Sequence, residues 1–194
     1  RFITLTVASA AQVASGISQR HSGIEGTGAR MERLAGGVIA LLDVDQAYTR
    51  VEWLELDGNS VTSTDGIVVN AAATNALLQN LVIHDMAGPA PEGSGITLVG
   101  GATSARVRNS FVYDYVGDGL YVLATGANAS NVTFYNGLTN PSSNGIQVAA
   151  GGTALAENVI AAGGVGLLQF CAAPVGGGCA GALTCNNCLS SDLP

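Results

Sequence analysis

The chain contains no lysine and has few charged or aromatic side chains. Charged residues make up 11% of its 194 residues and aromatic residues 5%, and all seven basic residues are arginines in a chain of net charge −7. Nucleic acid is therefore not an expected partner, because neutralising phosphates requires a basic patch. No apolar run reaches the ~18 residues of a membrane-spanning helix, so no membrane span is predicted. The first residues have the pattern of a strand rather than of a signal peptide.

Glycine is abundant, with 27 residues in a chain that is 47% hydrophobic. In five places a glycine precedes a short aliphatic run, and these are Gly66, Gly95, Gly119, Gly145 and Gly166. A repeat of about 20–30 residues indicates a solenoid, and the short alternating runs predict that it is built of strands. We expect the glycines at corners, because glycine adopts backbone conformations that other residues resist.

An asparagine recurs in the strand before each loop. Alignment of these strands places Asn80, Asn109, Asn136 and Asn158 in one column, with Trp53 at the same place in an earlier copy. Stacked side-chain amides at a corner bond to each other and to backbone groups that the bend leaves unpaired. The pattern predicts a structural asparagine ladder. The distance from each asparagine to the next glycine varies, which predicts insertions at one corner, often the binding side of a solenoid.

These signatures resemble the right-handed parallel β-helix repeats of the pectate-lyase-like superfamily, over residues 50–170. The resemblance implies an all-β fold, a right-handed parallel β-helix solenoid with a Gly/Cys-rich C-terminal tail. We expect a single domain. Irregular N-terminal coils are predicted over residues 1–49, a regular parallel β-helix over 50–170 and a cysteine-rich segment over 171–194. Within the first segment, strands are predicted at residues 2–7, 30–34 and 38–44. Residues 15–28 are predicted to form a long loop in which His21 is solvated.

All four cysteines lie near the end of the chain, at Cys171, Cys179, Cys185 and Cys188. The Cys-x-x-Cys spacing at 185–188 is that of a metal site or a redox motif, or of one half of a disulfide framework. Disulfides are favoured, because the resemblance implies exported proteins and a glycine-rich terminus gains from cross-links. Of the three pairings, Cys171 with Cys179 and Cys185 with Cys188 is predicted, and no metal site is.

Acidic residues cluster at the corner where the insertions occur, beside a histidine and a tyrosine at matched positions. If the coils stack as aligned, one groove is lined by Asp57, His84, Asp85, Glu92, Tyr113, Asp114 and Asp118. Paired carboxylates perform glycoside chemistry, and clustered carboxylates bind calcium, which is the one cofactor this pattern suggests. The favoured interpretation is that these aspartates are turn residues, as expected for Asp65 and Asp118 before glycine.

The motifs of the known β-helix enzymes are largely absent. The lyases pair calcium-binding carboxylates with an arginine or lysine base, and here only Arg106 and Arg108 precede the loop; the hydrolase motifs of the polygalacturonase type are missing. Catalysis is therefore not predicted, and an enzyme would be a polysaccharide lyase or a glycoside hydrolase.

The leading hypothesis is a secreted, extracellular or cell-surface structural module. No amphipathic capping helix is predicted at either end. Irregular loops cover the ends, or the chain is a piece of a longer one, or subunits associate end to end; the leading hypothesis includes self-association into a fibre or multimer. The alternative is a carbohydrate-active or carbohydrate-binding protein with an extracellular polysaccharide as partner. A third hypothesis is the host-recognition part of a phage tailspike. Asn128 and Asn131 begin two sequons and are candidate glycosylation sites.

Overall fold

The computed structural model describes residues 2–34, 40–62, 65–88, 92–137, 143–163, 170–171 and 180–191. Within these residues the chain forms twenty short strands in three parallel sheets, with one 3-10 turn at Ala10–Gln12 and no α-helix. The predicted all-β, parallel β-solenoid fold is confirmed.

Every third strand along the chain joins the same sheet. Sheet A consists of β1 (Ile3–Thr6), β4 (Thr49–Glu52), β7 (Leu77–Gln79), β10 (Arg106–Arg108), β13 (Ala127–Ser130), β16 (Thr153–Glu157) and β19 (Ala182–Asn186). Sheet B consists of β2 (Arg30–Glu32), β5 (Glu55–Asp57), β8 (Val82–Met86), β11 (Phe111–Tyr115), β14 (Thr133–Asn136), β17 (Ile160–Gly163) and β20 (Leu189–Ser190). Sheet C consists of β3 (Ala40–Val44), β6 (Asp65–Val69), β9 (Ile96–Leu98), β12 (Leu120–Val122), β15 (Ile146–Val148) and β18 (Phe170–Cys171).

The hydrophobic core runs along the axis of the solenoid. In sheet B the inward column pairs Leu56, Ile83, Val112 and Phe134 in register, and all four side chains are fully buried. Because side chains alternate across a strand, the residues on either side of this column point outward. The outer face of sheet B therefore carries a polar or aromatic side chain before and after each core residue, except that the buried Val82 precedes Ile83.

The corner between sheets A and B is built on residues in the left-handed backbone conformation. Trp53, Asn80, Asn109, Asn131, Asn158 and Asn187 all have φ between 48° and 64°. Asparagine tolerates this conformation better than most residues, and its amide satisfies neighbouring groups. Side-chain amides bond from Asn131 to Asn109, from Asn158 to Asn131 and from Asn187 to Asn158, at 3.1, 3.2 and 3.3 Å.

One member of the predicted ladder is wrong. Asn136 is a buried residue at the end of β14, paired with Gly163, and the ladder position in that coil belongs to Asn131. The coil from Asn109 to Asn131 spans 22 residues, whereas those that follow span 27 and 29. Because this coil is shorter, an alignment of the repeats by sequence selects Asn136 instead of Asn131.

The repeated glycines stand at the entrance to sheet C, for a reason other than the one predicted. Gly66, Gly95 and Gly119 do not adopt positive φ, and an added Cβ would instead collide with the carbonyl oxygen of the equivalent glycine in the next coil. The Cβ would also overlap core side chains, namely Ile83, Val112 and Phe134 respectively. Close stacking of coils, and not backbone freedom, requires glycine here. Gly166 lies outside the described residues.

The first and last segments of the predicted domain map both contribute strands to the sheets. The three predicted N-terminal strands are present as β1, β2 and β3, and each pairs in parallel with a strand of the following coil. At the other end, β19 and β20 add further strands within the segment expected to be a tail.

The predicted disulfide between Cys185 and Cys188 is present and encloses the left-handed Asn187. The pairing predicted for Cys171 with Cys179 lies outside the described residues. Among the residues described, none forms a helix long and apolar enough to cross a membrane.

Candidate functional site

The candidate site lies on the outer face of sheet B, where a histidine sits among carboxylates. Parallel register places Asp57 of β5, His84 of β8 and Tyr113 of β11 side by side. His84 Nδ1 lies 2.8 Å from Asp85 Oδ2 and 3.9 Å from Asp57 Oδ1, and its Nε2 lies 3.3 Å from Glu55 Oε1. The imidazole thus faces carboxylates through both of its nitrogens.

The carboxylates around His84 are themselves held in place. Glu55 is fully buried, and its two oxygens accept hydrogen bonds from the backbone amide of Gly26 at 3.0 and 2.8 Å. Asp57 accepts from Arg30 at 2.9 Å and from the backbone amide of Asn59 at 2.7 Å. These bonds fix the orientation of both carboxyl groups, since each oxygen has a defined donor.

Aromatic rings continue the row beyond His84. The rings of His84 and Tyr113 stack with centroids 5.0 Å apart and planes 9° apart, and Phe111 stacks on Tyr113 at 4.9 Å. The Tyr113 hydroxyl donates to Glu25 at 3.0 Å. His84 is therefore closed on one side by a ring and on the others by carboxylates.

Residues 13–29, which we call the strap, cover this part of the face. Besides Gly26 and Glu25, the strap is anchored by Arg20, whose guanidinium lies 4.8 Å from the centroid of the Trp53 ring. His21 was expected to be solvated, but it is only 7% exposed and its Nε2 bonds to the Asn80 carbonyl oxygen at 2.8 Å. The strap explains why His84 and Glu55 have no exposed surface although they stand on the outer face of a sheet.

Electrostatics at the site favour the imidazolium form of His84. Burial lowers the pKa of His84, but its hydrogen bonds to Asp85 and Glu55 and the charge of Asp57 outweigh burial and raise the pKa above its usual value. Burial also raises the pKa of Tyr113, and the neighbouring Glu25 raises it further. Tyr113 therefore remains a neutral hydrogen-bond donor at physiological pH.

The other residues of the predicted groove lie elsewhere. Asp114 is one coil further along and accepts a hydrogen bond from the Gly137 amide at 3.1 Å. Glu92 is exposed in the connection between β8 and β9. Asp118 is fully buried and accepts from the backbone amide and the side chain of Asn144. The structure therefore brings together Asp57, His84, Asp85 and Tyr113 and separates them from the remaining three.

Asp118 belongs to a buried polar column at the entrance to sheet C. Asp65 accepts from the Ser94 amide and the Thr97 hydroxyl at 2.9 Å each, and the Asp118 amide donates to Ser94 at 3.1 Å. Burial raises the pKa of Asp118 to about 6, against hydrogen bonds from Asn144 that lower it. The aspartates before glycine thus join adjacent coils. They were expected to be turn residues, but Asp65 is the first residue of β6 and both side chains are buried.

Three members of the site were absent from the sequence-based prediction: Glu25, Arg30 and Glu55. Glu25 and Arg30 come from the first coil, which carries no recognisable repeat. Glu55 precedes a core leucine in β5, and the alternation of strand residues alone would have marked it as outward-facing. Its burial by the strap has no signal in the sequence.

Beyond the strap, the outer face of sheet B is apolar and exposed. Tyr135 and Ile160 are 46% and 43% exposed, and Leu189 in the last coil is 63% exposed. Tyr135 pairs in register with Tyr113, and Ile160 pairs with Thr133 and Leu189 on neighbouring strands. Two adjacent columns therefore run across successive coils. One passes from His84 through Tyr113 and Tyr135 to Ala162, and the other from Phe111 through Thr133 and Ile160 to Leu189; together we call them the sheet B row.

The two sequon asparagines occupy different positions on the solenoid. Asn128 is a half-buried residue of β13 whose amide bonds to Glu157 at 3.2 Å, whereas Asn131 is exposed and forms part of the asparagine ladder.

The chain matches no protein-family model, and neither a curated protein nor a solved structure is significantly similar to it.

Proposed function

We propose that the protein is a secreted, extracellular or cell-surface β-solenoid with a structural role and without catalysis. The observation that carries this proposal is the internal use of its buried ionisable groups. Glu55 is held by the Gly26 amide, Asp57 by Arg30, and His84 by Asp85 and Glu55. A general acid or base must reach a substrate proton, whereas these groups are occupied with one another beneath the strap.

Self-association end to end is the mode of action that we propose. At the two ends of sheet A, β1 and β19 each pair on one side only among the described strands. In a parallel solenoid these two edges differ, so a second copy would add head to tail and continue the same ladder. Such a heterologous contact does not close, and repeated addition produces a filament.

Electron microscopy and sedimentation over a range of concentrations test this proposal. Leu5 in β1 and Ile160 in β17 are both 43% exposed, which makes them a matched pair. We expect Leu5→Lys to abolish filaments or multimers, because an edge lysine blocks strand pairing, and Ile160→Lys to leave them intact. A wild-type chain that remains monomeric at every concentration would refute the proposal.

A second candidate function is carbohydrate binding, and the exposed row on sheet B supports it. Tyr113 and Tyr135 are neighbours in one column and Ile160 and Leu189 in the other, at the coil spacing of about 4.8 Å. Exposed apolar surface of this kind often marks a binding site. The apolar faces of sugar rings pack on such aromatic surfaces. Membership of the pectate-lyase-like superfamily, with which this function would agree, is likewise a proposal.

Affinity electrophoresis in neutral and acidic polysaccharides, with and without calcium, tests this second function. We expect at least one polysaccharide to retard the wild type, and Tyr135→Ala to lose most of the retardation. Tyr121→Ala on sheet C is the control, because Tyr121 is a half-buried tyrosine on a different face. Equal retardation of both variants would exclude the sheet B row as the binding surface.

A further inference from the structure

We propose that His84, Asp57 and Asp85 form a binding site for a divalent transition-metal ion such as Zn²⁺, a site that links two coils of the solenoid. Each residue offers one ligand atom, and the three atoms lie within 4.8 Å of one another. Asp57 comes from β5, and His84 and Asp85 come from β8. One imidazole and two carboxylates form a ligand set that suits zinc.

The distances fit a small ion with modest adjustment. Zinc binds nitrogen and oxygen ligands at about 2.0–2.2 Å, so tetrahedral ligands lie about 3.3 Å from one another. His84 Nδ1 lies 2.8 Å from Asp85 Oδ2 and 3.9 Å from Asp57 Oδ1, which brackets that separation. The ion would take the place of the proton between His84 Nδ1 and Asp85, and that proton would be released to solvent.

The environment of His84 has the outer-shell partner that metal-binding histidines usually have. Its second nitrogen, Nε2, faces Glu55 Oε1 at 3.3 Å, and Glu55 is fixed by the Gly26 amide, whose single N–H is shared between the two carboxylate oxygens. A carboxylate that accepts from the far nitrogen orients the ring and increases its basicity. This arrangement distinguishes the cluster from a simple group of acidic residues.

Charge and access are also consistent with a divalent ion. Asp57 and Asp85 would supply negative charge to the ion, and Arg30 bonds to the other oxygen of Asp57. The side chain of Asp85 is 38% exposed, whereas those of His84 and Glu55 are fully buried. The ion would therefore enter beside Asp85, where water completes its coordination.

Isothermal titration of the metal-free full chain with ZnCl₂ and CaCl₂, together with the absorption spectrum of added Co²⁺, tests the site. The informative variant is Asp85→Asn, because asparagine tolerates the left-handed conformation that Asp85 adopts at φ 56°. Asp114→Asn is the matched control, since Asp114 has φ 50° one coil away and lies outside the cluster. Glu55→Gln tests the outer shell.

We expect one Zn²⁺ per wild-type chain, bound more tightly than Ca²⁺, with visible Co²⁺ bands of a nitrogen-containing site. Asp85→Asn should weaken binding by at least tenfold, Glu55→Gln by about 10–100-fold, and Asp114→Asn not at all. Far-ultraviolet circular dichroism establishes that each variant is folded. Equal Zn²⁺ affinity of the wild type and Asp85→Asn, tighter binding of Ca²⁺ than of Zn²⁺, or no binding by the wild type would overturn the proposal.

Discussion

The Asn131 side-chain amide donates to Asn109 Oδ1 of the preceding coil at 3.1 Å, and Asn131 Oδ1 accepts from the Asn158 side-chain amide of the next coil at 3.2 Å. The three residues share the left-handed conformation. A hydrogen-bonded column of this kind fixes the bend between sheets A and B in the same place in each of these coils. It uses polar groups that a bend would otherwise leave exposed to solvent or unpaired.

Replacement of Asn131 separates the two contributions of the ladder. We expect Asn131→Ala to destabilise the fold by about 2 kcal/mol, because it loses two exposed hydrogen bonds and places alanine at positive φ. Asn131→Gly should cost about 1 kcal/mol, because glycine keeps the backbone conformation. Urea unfolding measures both values, and equal losses in the two variants would contradict a conformational role.

The close stacking of coils at Gly95 predicts a strong effect of a single methyl group. An alanine Cβ there would overlap Val112 and the Gly119 carbonyl oxygen, whereas at Gly100 the nearest atom is 3.8 Å away. We expect Gly95→Ala to lower the free energy of unfolding by about 1–3 kcal/mol and Gly100→Ala to leave it nearly unchanged. Thermal and urea unfolding provide the measurement, and a Gly95→Ala variant as stable as wild type would show that the coils can separate at little cost.

Asp118 should make the protein more stable in mild acid than at neutral pH. Its pKa is raised from 3.8 to about 6 by burial, so the folded state binds the proton more tightly than the unfolded state does. Stability from this group is present below about pH 4 and is lost as pH rises through 6, by up to about 3 kcal/mol.

The variant Asp118→Asn isolates this effect. An amide still accepts the hydrogen bonds from Asn144 but carries no charge. We expect the variant to be more stable than wild type at pH 7.5 and to differ little from it at pH 4, as measured by urea unfolding at both values. A variant that is less stable than wild type at pH 7.5 would mean that the charge of Asp118 stabilises the column.

The hydrogen bond from Tyr113 to Glu25 should hold the strap closed. Tyr113→Phe removes the hydroxyl, and Tyr135→Phe removes an exposed hydroxyl from the same column one coil away. We expect faster amide hydrogen exchange in residues 20–28 only in Tyr113→Phe, because one anchor of the strap is lost. Unchanged exchange would show that Gly26, Arg20 and His21 suffice to hold it.

The Tyr115 hydroxyl is buried in the core and has no hydrogen-bond partner among the described residues. Leaving a polar group unsatisfied costs about 1–3 kcal/mol. Tyr115→Phe is therefore expected to stabilise the protein by about 1 kcal/mol, and thermal unfolding checks this. Destabilisation by the same substitution would reveal a partner for the hydroxyl in the folded protein.

The ladder and the site illustrate how far local patterns reach. The prediction is correct for Asn109 and Asn158 in the ladder, and Asn80 lies at the same left-handed corner, because each stands directly after a short strand. It selects Asn136 instead of Asn131 because one coil is shorter than the next two. His84 and Tyr113 were paired correctly because parallel stacking brings equivalent positions together. The prediction is wrong for Glu92 and Asp118 because the connections before sheet C differ in length, and for Asp114 because it belongs to the next coil.

The sequence by itself determined the solenoid. Its period, its inward aliphatic residues and its repeated glycines together specify a parallel β-solenoid. Each coil repeats the same local preferences and buries the same face against its neighbours. Only the tertiary structure decided what surrounds His84. The strap returns across sheet B and brings Glu25 to Tyr113 and Gly26 to Glu55, and the next strand, β2, brings Arg30 to Asp57. These contacts join residues up to 88 positions apart, and no local pattern encodes them.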